Sequence, residues 1–176
     1  ERYAGQVEIA PDGRAISNYV AGAPFPVIDL TDQLAPYKLM WNNKLPPYII
    51  DNMGGHVTAH TINREGAVAE TYELRWRLLK WAGRLYTTPK PLIPNNPAVL
   101  TSLLSGPLTL PQRLRGAFCL KLYHMAPNVA EEHYVYDPYQ RKVRRIGVAD
   151  RGVDALGTDT DSDSFLGFSG KIAYWT

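Results

Sequence analysis

The stretch Val68–Trp81, "VAETYELRWRLLKW", decides the fold class. Tyr72, Leu74, Trp76 and Leu78 occupy one phase of a period-two pattern, and Thr71, Glu73, Arg75 and Arg77 occupy the other. That alternation is the signature of a half-buried antiparallel strand. The run after Gly66 extends to about Trp81, beyond the roughly five or six residues of an ordinary strand. A strand that long and apolar on one side must curve around something. "RLRGAFCLKLYH", Arg113–His124, repeats the pattern: Leu114, Phe118, Leu120 and Leu122 alternate with Arg113, Arg115, Lys121 and Tyr123. Gly116 falls in the apolar phase and marks a bulge or sharp curl. Shorter strands are predicted in "YAGQVEI", "RAISNYV" and "HVTAHTI", with "APDG" (Ala10–Gly13) as the hairpin turn between the first two.

Helical signal is thin. "TDQLAPYKLMWNNK" offers Thr31 or Asp32 as N-cap and places Leu34, Tyr37 or Lys38, and Trp41 at helical spacing, with Pro36 in the first turn. A second short helix is predicted after Asn96 in "NPAVLTSLLSG", ending at Gly106. "TTPKPLIPNNP" reads as an extended surface loop, because strands of similar character flank it. The expected fold is mainly β within the α+β class: a curved, incomplete antiparallel β-barrel with one or two short helices over its open side.

With 176 residues, 45% hydrophobic and 20% charged, the chain has globular composition and is expected to form a single domain, residues 1–176. A domain of this size buries roughly 70% of the surface its unfolded chain exposes. The single cysteine, Cys119, excludes an internal disulfide and multi-cysteine metal motifs. No apolar run reaches the roughly 18 residues of a membrane-spanning helix. The chain begins at Glu1, which is expected of a processed form or a fragment, and a signal peptide would then be missing from it.

Catalytic and metal constellations find little support. His124 and His133 flank "MAPNVAEE" and would face each other across a symmetric hairpin, but a zinc or iron site needs a third ligand, and Glu131 and Glu132 are only neighbours in sequence. Two ordinary hairpin histidines are the simpler expectation. His56 and His60 share a strand face without sharing a site. Ser102 and Ser105 lie in no nucleophile elbow. Cys119 shares a phase with Arg115 and Lys121, but no base is placed beside it. The glycines form no phosphate-cradling motif. Asp159, Asp161 and Asp163 begin like a calcium loop, which then fails with Ser164 where glycine is needed and Gly170 where a bidentate glutamate is needed. No enzyme activity, cofactor or metal is expected.

"YVYDPYQRKVRRIGV", Tyr134–Val148, sets Arg141, Lys142, Arg144 and Arg145 into five consecutive positions of a chain whose formal net charge is +2. A nucleic-acid patch, an anionic membrane contact and an internal ion network are the available explanations. The small net charge lacks the broad basic footprint of a nucleic-acid binder. Internal pairing with the acids between Asp150 and Asp163 (Asp159, Asp161 and Asp163 among them), or with a partner chain, needs the fewest assumptions. It is the expectation for Arg144 and Arg145.

"NYVAGAPFP" (Asn18–Pro26), "KLMWN" (Lys38–Asn42), "YDPYQRKVRRI" and the closing "SDSFLGFSG…YW" occur in an order that resembles a bacterial family, domain of unknown function 1329. The family's tyrosine, proline and paired arginines map onto Tyr136, Pro138, Arg141, Lys142, Arg144 and Arg145, with Lys142 where arginine is expected and Ser164 where glycine is expected. The resemblance implies a fold similar to the LolA/LolB lipoprotein carriers, an exported location in the periplasm or at the inner face of the outer membrane, and a part in hydrophobe transport. It implies no catalytic residues, and it implies that the chain is only part of the family's length. On this reading Tyr72, Leu74, Trp76, Leu78, Phe118, Leu120 and Leu122 form one apolar wall for a lipid or other hydrophobic molecule, although the same residues suit an ordinary core equally well. A membrane exporter or a chain that completes the sheet is the expected protein partner. The alternative is an interaction subunit whose open sheet edge pairs with another chain.

Overall fold

A computed structural model describes residues 3–96, 98–126, 128–147, 150 and 171–174. The chain opens with a small hairpin, β1 (Glu8–Ile9) and β2 (Ile16–Ser17), joined through the predicted "APDG" turn. Gly13 sits there at φ 73, and a Cβ on it would lie 2.3 Å from the Tyr37 ring, so only glycine fits under the helix that follows.

That helix, α1 (Ala35–Lys44), starts later than the sequence suggests. Its N-cap is Leu34, which makes no side-chain cap. Asp32 instead closes the preceding turn by accepting the Leu34 N–H at 2.8 Å and the Lys38 ammonium at 2.5 Å. Pro36 fits in the first turn, where its missing N–H has no intrahelical partner to lose. The inward side chain is Trp41, 6% exposed, whose indole N–H donates to the Gly13 carbonyl at 2.9 Å. One residue on, Asn42 clamps the Phe25 backbone in both directions, donating to its oxygen at 2.6 Å and accepting its N–H at 2.9 Å. Two of the landmark stretches, "KLMWN" and "NYVAGAPFP", are therefore bonded to each other. Phe25, Trp41, Leu45, Leu100 and Ile172 form the core beneath.

The main sheet has six antiparallel strands in chain order: β3 (Asn52–Ile62), β4 (Val68–Lys80), β5 (Val99–Leu110), β6 (Phe118–His124), β7 (Glu132–Asp137) and β8 (Lys142–Ile146). Among the described residues it does not close on itself, so the architecture is the expected incomplete barrel, with one short α-helix where one or two were expected. Its decisive element is β4, thirteen residues long.

The predicted second helix does not form, because Val99–Leu110 is a central strand bonded to β4 on one side and β6 on the other. Leu100, Leu103 and Leu104 mimic helical spacing because pairing irregularities on either side of them, between Val99 and Thr101 and again after Ser105, break the strand's alternation. Near its middle the pairing shifts: Trp76 lies opposite Ser105, but Leu74 lies opposite Leu108. Gly106 and Pro107 there stand opposite the single residue Arg75, a bulge whose one extra residue moves both Leu103 and Leu108 onto the same face. Leu108, 1% exposed, anchors a second small core with Tyr72 and Ala117. No described helix is long and apolar enough to cross a membrane.

Candidate functional site

The strand register sorts the predicted wall onto two sides. Leu78 lies opposite Leu103, and Leu103 opposite Lys121; Arg77 lies opposite Leu104, and Leu104 opposite Leu120. Partners in an antiparallel pair share a face. Tyr72, Leu74, Trp76 and Leu78 therefore project on the face that carries α1, the helix face, whereas Phe118, Leu120 and Leu122 project on the far face. The single wall expected from the sequence is corrected to two apolar patches on opposite faces. Alternation fixes the phase within each strand but not which phases line up, and on β6 the more apolar phase is the one turned away from the helix.

On the helix face the C-terminal turn of α1 and the segment 45–49 overhang a cleft of ≈ 150 Å³. Leu78, Leu100, Thr101 and Leu103 line it from the sheet, with Tyr123 and Leu45 around them. The Lys44 ammonium lies 4.9 Å from the centre of the Tyr123 ring and pairs with Glu131 at 2.7 Å, which ties the helix end to the loop just ahead of β7.

The polar groups around the cleft are satisfied within the chain. Lys80 is 9% exposed and donates to the carbonyls of Pro46 at 3.1 Å and Ile49 at 2.6 Å. Burial pushes its ammonium below the ordinary lysine value, against the pull of Asp51. Tyr19 donates to the Gly22 carbonyl at 3.2 Å, and burial pushes its phenol up. Asp51, fully buried, accepts backbone N–H groups from Leu85, Tyr86 and Thr87 at 2.6–3.1 Å. Burial alone would raise its carboxyl; these bonds and the Arg84 guanidinium outweigh it and hold the group below the usual carboxylate range. Arg84, 2% exposed, in turn donates to the Lys80 carbonyl at 2.6 Å and to Asn52 Oδ1 at 3.1 Å. This buried ionic knot was missed from the sequence. One signal was present: Lys80 continues the apolar phase of Leu74, Trp76 and Leu78, where a cation needs buried acceptors.

The two histidines do not face each other. Lys121 lies opposite His133, and Leu122 opposite Glu132. His124 Nε2 instead lies 3.1 Å from Glu132 Oε1, and its Nδ1 3.2 Å from the Ala98 carbonyl. His133 Nε2 lies 2.7 Å from Cys119 Sγ, a nucleophile–base contact the sequence could not place, because it joins diagonal positions on neighbouring strands. Burial pushes the Cys119 thiol up to about 11, against the opposing pull of Lys121. At neutral pH the sulfur is therefore held as the thiol rather than the nucleophilic thiolate.

The basic run lies in the β7–β8 hairpin. Asp137 accepts the N–H groups of Tyr139 at 2.8 Å and Gln140 at 3.1 Å, and Arg141 takes the left-handed position at φ 51. Tyr134 pairs with Arg145, Val135 with Arg144 and Asp137 with Lys142, so Arg145 is on the far face and Lys142 and Arg144 on the helix face. All four cations are exposed. Arg144 donates to Gln140 Oε1 at 2.5 Å, and the Arg145 guanidinium lies 6.0 Å from the Tyr134 ring centre. Asp159, Asp161 and Asp163, their expected partners, lie outside the described residues.

Comparison with known proteins bears on this arrangement at the level of family and fold. No curated protein matches the chain. A crystal structure of a DUF1329 family protein from Desulfovibrio piger superposes with a TM-score of 0.51 at 15% identity, covering 72% of this chain and 45% of that one. The chain thus spans less than half the length of that structure. At that identity the likeness concerns the fold alone. The model of the protein family of unknown function DUF1329 matches residues 1–176, the whole sequence, and with the landmark stretches now seen bonded together the chain belongs to the DUF1329 family.

Proposed function

We propose that the chain binds a hydrophobic or amphiphilic molecule in the helix-face cleft and performs no catalysis of its own. The observation that carries this reading is the pairing of an apolar floor, Leu78, Leu100 and Leu103, with polar neighbours that are already satisfied. Among the described residues no buried side-chain nitrogen or oxygen lacks a hydrogen-bond partner. Such a cleft asks a ligand for apolar contact and little else. Its size narrows the ligand. At ≈ 150 Å³ it is below the roughly 300–1,000 Å³ of sites that enclose a drug-sized molecule, so it fits the end of one hydrocarbon tail rather than a whole lipid. An exported carrier at the periplasmic side of the outer membrane, as the family resemblance implies, is consistent with that use.

Native mass spectrometry of the protein from its own source, with solvent extraction of what travels with it, tests the proposal. A fatty acid or related hydrophobe on a single chain is expected. Protein that carries no hydrophobe and binds no added fatty acid would overturn it.

A second reading is favoured by β3. Among the described residues its outer edge is unpaired over eleven residues, Asn52–Ile62, with no lysine, arginine, acid or proline to guard it. Long unguarded edges are templates for strand addition. Size-exclusion chromatography separates the two readings: a monomer supports the carrier, and an assembly supports an interaction subunit.

A further inference from the structure

The far face of β6–β8 is a second apolar surface that the cleft does not use. Phe118, Leu120, Leu122, Tyr134 and Tyr136 all project there, and each is only half-buried. Val143, opposite Tyr136, is 65% exposed, and Tyr139 at the hairpin tip is 73% exposed. Arg145 stands on the same face at the end of the Leu104–Leu120–Tyr134 row, Arg141 sits in the turn, and Lys142 and Arg144, directed to the helix face, lie along β8, the last strand of the sheet among the described residues. Among the described residues none of these four cations forms an ion pair. Two carboxylates of the β7–β8 hairpin have other partners: Asp137 accepts the turn N–H groups, and Glu132 accepts from the Tyr134 hydroxyl and meets His124 while also feeling the Arg145 charge.

Cations on an edge strand discourage edge-to-edge pairing, and one or two suffice for that. Arg145 and the turn residue Arg141 beside half-exposed leucines and tyrosines, with Lys142 and Arg144 adding charge along the same edge strand, call for a surface that is negative outside and apolar beneath. We propose that this face, with the β7–β8 hairpin leading, docks on an anionic lipid surface. The chemistry matches at each level. Phenolic rings such as Tyr139 and Tyr134 settle at the headgroup boundary, with the apolar body inward and the hydroxyl in water. Each lysine or arginine close to an anionic bilayer contributes about 1 kcal/mol, or about fivefold in binding. A nucleic acid would use the cations but not Leu120, Leu122 and Val143. The proposal does not rest on the cleft, which opens on the opposite side of the sheet, so either can fail alone.

Co-sedimentation of the 176-residue chain with vesicles of phosphatidylcholine, with and without phosphatidylglycerol, tests it. Binding to the phosphatidylglycerol vesicles alone is expected, weakening as salt is raised. Reversing Arg141→Glu and Arg145→Glu together should reduce binding by more than about 25-fold. Tyr139→Ser with Val143→Ser, which leaves the charge unchanged, should weaken it several-fold. All four positions are exposed, so the variants retain the fold, and circular dichroism verifies that. Equal binding to neutral vesicles, no binding to either kind, or undiminished binding of the double charge reversal would overturn the proposal. So would duplex or single-stranded DNA, or an acidic protein, that binds more tightly than the vesicles and shows the same loss in the Arg141/Arg145 variant.

Discussion

Asp51 shows how much of this molecule rests on single polar residues. Its carboxylate is fully buried and gathers three consecutive backbone N–H groups, from Leu85, Tyr86 and Thr87. Replacing it with alanine strands those donors and leaves Arg84 without a facing charge, a loss of about 3 kcal/mol in denaturant unfolding. The pH dependence has a definite sign. A carboxyl held below its ordinary value in the folded state adds stability above that value and loses it as pH falls through the folded one. Wild type should therefore lose stability on acidification more steeply than Asp51→Asn, as urea midpoints across the acid range would show. None of this was readable from "IIDNMGG", since an aspartate before a strand looks like any turn residue until the loop after β4 folds back onto it. The Cys119–His133 contact was hidden for the same reason.

Among the elements, β5 carries the most consequence. Its Gly106–Pro107 bulge shifts the phase of the strand, and Gly106 adopts φ 126 with room for nothing larger: a Cβ there would lie 2.6 Å from the Ala117 carbonyl. Gly106→Ala should cost about 2 kcal/mol in thermal or urea unfolding. A second test addresses the two faces directly. Leu103, 3% exposed on the helix face, should lose about 3 kcal/mol on truncation to alanine, whereas half-buried Leu104 on the far face should lose about 1. Similar losses would mean that both faces are equally packed. Strand identity was legible in β4 and β6 because each keeps strict alternation. β5 was mistaken for a helix because its bulges break that alternation, and the alignment of phases between strands was illegible because bulges set it.

Among the described residues the molecule is built on an open six-stranded sheet with two chemically different apolar patches, one under the helix and one facing away. The sequence revealed an incomplete curved barrel and enough family landmarks to place the chain, because those depend on local pattern. It did not reveal that the predicted wall divides, since Leu78 and Leu120 reach opposite faces only through the register of β5. On the proposed reading the two patches have separate uses: a tail-sized cleft on one side and a tyrosine-rimmed surface carrying Arg145 on the other. A carrier that must approach a bilayer and hold a hydrocarbon tail needs both.

The cleft is the central claim, and blocking it is the most direct test. Thr101 lines it between Lys80 and Tyr123, and a Thr101→Trp substitution would fill the space with an indole while leaving the far face untouched. Titration of wild type and this variant with an environment-sensitive fluorescent fatty acid compares the two directly, with circular dichroism as the check on folding. Saturable binding by wild type, lost in a folded Thr101→Trp protein, is the predicted result. Undiminished binding by the variant would contradict it and place the hydrophobe elsewhere on the sheet.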